Sequence, residues 1–156
     1  MSIATENDKN GEIDRRYFTS KTETTARLFA VLNRKSHNCE IKLTTQISHI
    51  VGRGDVLELI VTTKSEACSN SEINNVHHIG LVEVSETGLL LCDDSVSVLD
   101  KKMGNIIGFY KNPLSNHLNI VMQCDNIKTG KELGLPLDAL ITFSGIHEDI
   151  DDKIGF

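Results

Sequence analysis

Residues 104–124, GNIIGFYKNPLSNHLNIVMQC, decide the fold: an apolar run meets an alternating one across a polar turn. The second half, His117-Leu118-Asn119-Ile120-Val121-Met122-Gln123-Cys124, repeats with a period of two. Leu118, Ile120, Met122 and Cys124 fall on one face, and His117, Asn119, Val121 and Gln123 on the other. That is the pattern of a half-buried strand. Asn112-Pro113 and Ser115-Asn116 supply the turn before it, and Ile106, Ile107 and Phe109 belong to the apolar run that leads in. One face is core; the other opens with an imidazole and an amide where the strand leaves its loop.

The same reading extends along the chain. Lys21–Arg34 carries Leu28, Phe29, Val31 and Leu32 at spacings that suit a helix face, but its threonines favour a strand. Residues 41–48 alternate Ile41, Leu43 and Ile47 with polar side chains, which predicts a half-buried strand. Gly52-Arg53-Gly54-Asp55 reads as a turn, and the β-branched run 56–63 after it as an inner strand. Residues 64–75 form a polar loop without apolar periodicity, long enough to be mobile. Strands follow at 76–84, 89–92 and 96–98, then a short helical turn, a Gly-Leu-Pro bend at 134–136 and a final strand reaching Phe143. Short strands with frequent turn signals, and no long amphipathic helix, give a mainly β class. The expected architecture is a single small β-barrel, closed or partly open, with short helical turns. Its expected extent is 21–146, between an N-terminal arm at 1–20 and an acidic tail at 147–156.

Composition sets the partners. The chain has 156 residues, 39% hydrophobic and 24% charged, with no Trp, so its core is mainly aliphatic. A net charge of −6 and the lack of any basic block argue against nucleic acid. No apolar run is long enough for a membrane helix, and MSIATENDKNGEIDRR lacks the apolar segment of a signal peptide. A cytoplasmic location is the resulting expectation, and a homo-oligomer is compatible with it. Cys39, Cys68, Cys92 and Cys124 lack the close pairing of zinc sites and read as packing thiols. Two acidic neighbours, Asp93 and Asp94, disfavour Cys92 as a thiolate nucleophile.

Three histidines carry the candidate chemistry. His77 and His78 are adjacent, so on a strand they face opposite ways and only one can join His117. By simple alternation His78 goes with Val76, Val82 and Val84, and His77 with Ile79, Leu81 and Glu83. With a carboxylate such as Glu83 or Asp125, His77, His78 and His117 are candidate ligands for a divalent metal ion, Zn, Fe or Mn. A metal-free version uses His117 and His78 as acid and base, with Asn119 holding an oxyanion or amide of the substrate. Against both stands the plain alternative that these imidazoles bond loop carbonyls or sit exposed.

Several short segments carry a resemblance: Gly52 and Gly54, the run Pro113…His117-Leu118-Asn119, and Leu133-Gly134-Leu135. Together they resemble the archaeal CTP-dependent riboflavin kinases, which are cradle-loop barrels with a Pro-Gly-Thr-Leu-Asn run. The resemblance implies that Asn119 matches the Asn that serves metal and nucleotide, with His117 in place of the Thr. The spacing after the proline is longer here and the Gly-Thr pair is missing. In its general look the chain resembles the small uncharacterised bacterial β-barrel families. The expected function is a small-molecule pocket, open to metal assistance, around the HHIG and NHLN segments and taking a small polar metabolite. The alternative is a non-catalytic ligand-binding or protein-interaction module.

Overall fold

A computed structural model describes residues 20–67 and 72–145. The strands are β1 (Thr24–Ser36), β2 (Ser48–Val51), β3 (Val56–Thr63), β4 (Val76–Val84), β5 (Gly88–Leu91), β6 (Ser95–Val98), β7 (Lys101–Lys111), β8 (Leu118–Cys124) and β9 (Leu140–Ser144). Two helical turns join them, α1 (Lys64–Ala67) and α2 (Gly130–Leu133). Seven strands close into a barrel in the order β1-β4-β3-β8-β7-β6-β9, and β2 and β5 form a separate two-stranded sheet. Every barrel pair is antiparallel except β3–β8. The expected β-barrel is the fold, and it is closed. The expected arm and tail fall largely outside the described residues.

Strand alternation sends Leu57, Leu59, Ile120, Met122, Ile141 and Phe143 into an aliphatic barrel interior. A second cluster lies on the outer face, where Ile60, Val76 and Val121 pack under Ile41 and Ile73. The segment 37–47 makes that cover, and here the expected strand at 41–48 is corrected. Positive φ angles at Asn38 and Glu40, 56° and 52°, bend the chain out of extended geometry. Ile41 makes a lone bridge to Ile73, and Leu43 sits on Gly108, where a Cβ would lie 2.8 Å from Leu43 Cδ1. The alternation at 41–43 is real, but it buries side chains against a barrel wall and not within a ladder. Only Ser48 of that run enters a strand.

The polar segment 64–75 is also more tied down than expected in its described parts. Lys64–Ala67 is helical, Ile73 is buried, and Glu66 accepts hydrogen bonds from Asn74 N and Asn75 Nδ2. The turn at Gly52–Asp55 is as read: Gly54 takes φ 87° and Gly52 N donates to Asp55 Oδ2 at 2.7 Å. Thr129 and Glu132 form a capping box on α2, and Gly134 ends it in the left-handed conformation.

Candidate functional site

The outer face that carries the second cluster continues into a polar row. Arg34 of β1 pairs with His78 of β4, Ile60 of β3 also pairs with His78, and Glu58 of β3 pairs with Asn119 of β8. Ser36 of β1, His78 of β4, Glu58 of β3 and His117, just before β8, are therefore diagonal neighbours along the face, a separation that long polar side chains can span. Ser36 Oγ lies 2.8 Å from His78 Nε2, and His78 Nδ1 2.5 Å from Glu58 Oε2. His117 Nε2 lies 2.9 Å from Glu58 Oε1. One carboxylate thus holds two imidazoles, one on each oxygen.

The protonation pattern follows from Glu58. Burial pushes its carboxyl up, but the hydrogen bonds from His78 and His117, with their charge, outweigh this and hold it below the ordinary range. An ionised carboxylate only accepts, so His78 Nδ1 and His117 Nε2 carry the hydrogens. In a neutral ring the other nitrogen is then an acceptor. His78 Nε2 takes the Ser36 hydroxyl, and His117 Nδ1 has no hydrogen-bond partner among the described residues.

His117 also lines a cleft of about 480 Å³. Its walls are the β2 segment His49–Val51, the start of β3, Lys111 at the end of β7, and Asn112, Pro113, Ser115 and Asn116 of the loop before β8. Val51, Leu57 and Leu118 give it an apolar floor. The loop is braced by Asn112, whose Oδ1 accepts from Leu114 N at 2.9 Å. His49, which the sequence reading passed over, lines the cleft too, with its ring 5.5 Å from Phe109 and its Nδ1 buried without a partner.

His78 and His117 are both held by Glu58, and by neither Glu83 nor Asp125, which are both exposed. His77 turns to the opposite face. It lies near Lys35, Glu132 and Ile127, and burial, then the Lys35 charge, lower its pKa. A bulge in β4 opposite Leu59 and Ile60 breaks the simple alternation, so His78 shares a face with Val76 and not with Val82 or Val84. Asn119 is 5% exposed, beside Glu58, and does not line the cleft. Among the described residues no group of three or more His, Cys, Asp or Glu is arranged to hold a metal ion. Glu58 did leave a signal in the sequence: it is the one charge inside the apolar run VLELIVTT. Ser36 left none.

A family model matches residues 18–144. The chain belongs to a family of unknown function, DUF6917. The match covers the whole barrel, from before β1 to the end of β9. No curated protein and no solved structure matches the chain, and the resemblance to the riboflavin kinases finds no support. Among the described residues no helix is long and apolar enough to cross a membrane.

Proposed function

We propose that the cleft beside His117 binds a small polar metabolite and that His117 acts there as an acid–base group. The observation that carries this is the shared position of one side chain: His117 lines the cleft and at the same time donates Nε2–H to the ionised Glu58. A carboxylate behind an imidazole fixes its tautomer and stabilises the imidazolium, which suits the ring to proton transfer. Lys111 and Asp55 both line the cleft, so it offers one cation and one anion to a polar metabolite. Ile50, 73% exposed in the cleft wall, and Leu114, 93% exposed on the β7–β8 loop, favour a second reading, a non-catalytic docking module.

Saturation-transfer NMR on a pool of carboxylated, phosphorylated and neutral polar metabolites separates these. Signals on the wild type that disappear in His117→Ala and weaken in Lys111→Ala are expected. A pool silent on the wild type, or binding indifferent to His117→Ala, ends the first reading. Loss of a protein contact in an Ile50→Ser, Leu114→Ser variant would instead support the second.

A further inference from the structure

Glu58 serves two directions. Oε1 faces the cleft through His117, whereas Oε2 holds Nδ1 of His78 and turns that ring's Nε2 onto Ser36 Oγ, 2.8 Å away. Of the ways a serine, an imidazole and a carboxylate can touch, this one has a chemical consequence. With the carboxylate on Nδ1 and the hydroxyl on Nε2, the ring can take the hydroxyl proton as the oxygen attacks. We infer that Ser36 is a nucleophile, activated by His78 and Glu58, that acts on carboxylic esters bearing an acidic group.

The surroundings fit that step. Ser36 is the last residue of β1 and is half-buried, followed by the exposed His37 and Asn38. His78 and Glu58 are more enclosed, with side chains 16% and 15% exposed, so the charge pair that forms on proton transfer is only partly screened by water. Arg34 pairs directly with His78 and so leaves the sheet on the same face, exposed beside the serine. It supplies the cation for an acidic group on the ester.

In the step itself the Ser36 Oγ–carbon bond forms and the Oγ proton passes to His78 Nε2. The ester C–O bond breaks, and the same proton goes from Nε2 to the departing alkoxide. Water then repeats the sequence on the acyl-serine: it gives a proton to Nε2, its oxygen bonds to the carbonyl carbon, and Ser36 leaves with that proton. Glu58 stays ionised throughout and opposes the positive ring. His117 takes no part.

Diisopropyl fluorophosphate tests this without a known substrate. Ser36 Oγ attacks phosphorus, fluoride leaves, and the proton departs through His78. Intact mass should show one diisopropylphosphoryl group per chain, and peptide mapping should place it on Ser36. Ser36→Ala should remove it, and His78→Gln and Glu58→Gln should slow it about 10²- to 10⁴-fold. Should either variant fail to fold by circular dichroism, the wild type in urea gives the same comparison, because unfolding keeps the serine and destroys the relay. Arg34→Ala should lower turnover of 4-acetoxybenzoate more than that of phenyl acetate; equal effects on both overturn the acidic-ester assignment. A wild type that stays unlabelled, a label on another residue, or a Ser36 label whose rate ignores His78 and urea overturns the nucleophile. None of these outcomes depends on what the cleft beside His117 binds.

Discussion

Glu58→Gln keeps the shape of the side chain and removes its charge, so it measures what the shared carboxylate contributes. In the wild type both oxygens accept from ring N–H groups, at 2.5 and 2.9 Å. An amide offers one acceptor and one donor, so one imidazole must change tautomer, and both remaining bonds become neutral. A bond to a charged partner is worth about 1.5–3 kcal/mol and a neutral one about 0.5–1.5. The loss is about 1 kcal/mol per bond and about 2 kcal/mol in all, since the three side chains are only 15–21% exposed. Urea unfolding is the assay, followed by far-UV circular dichroism because the chain has no Trp. At pH 7 the midpoint should fall by about 1 M.

The difference between wild type and variant should also depend on pH in a defined direction. Burial pushes the Glu58 carboxyl up, but its imidazole bonds prevail, so its folded pKa lies below the ordinary value of 4.5. The unfolded chain therefore binds the proton first as pH falls, and stability is lost on the acid side. The gap should be complete above pH 4.5 and close as pH drops through the folded pKa. Equal midpoints at pH 7, or a gap that persists undiminished in acid, would refute the ionised carboxylate at the centre of the row.

Ile120 and His117 should separate core from site when urea melts are read beside metabolite binding: Ile120→Ala opens the barrel interior and costs about 2–5 kcal/mol, whereas His117→Ala gives up one bond to an ionised carboxylate, about 1.5–3 kcal/mol, and alone abolishes binding in the cleft. Gly130→Ala should be destabilised by about 1–3 kcal/mol or more in urea, because a Cβ there would lie 1.9 Å from the Ile79 carbonyl oxygen. Burial, with Asp93 and Asp94 nearby, pushes the Cys92 thiol up to about 11. Iodoacetamide should then leave Cys92 unmodified at pH 8 on the time that labels an exposed thiol, with mass spectrometry as the readout.

Much of this was open to a reader of the sequence. The alternation at 117–124 places Leu118, Ile120 and Met122 in the interior as they stand, and turn residues mark the β2–β3 and β7–β8 connections. What local pattern could not supply was the partner of each strand. His117 and His78 come together because β3 lies between β4 and β8, a neighbour relation made by a parallel pair far apart in sequence. For the same reason Glu58 was passed over, although a lone carboxylate in an apolar run asks for a hydrogen-bonding partner. Residues 41–48 misled because a segment laid across a barrel wall alternates much as a strand does. The bulge in β4 defeated simple counting, and only a register can reveal it.

The seam of the barrel joins its earliest strand to its latest, with Thr24 opposite Phe143 and Arg27 opposite Leu140. A chain emerging from the ribosome cannot complete this ring until almost all of the matched segment has been made. Until then β1 offers its partner-seeking backbone to whatever strand is near, and a neighbouring nascent chain is one such strand. Pairings so distant in sequence also form slowly, because a long loop must close before any contact rewards it. Shortening the chain within β9 would not trim a dispensable end; it would open the ring and leave β1 and β6 each with an unpaired edge.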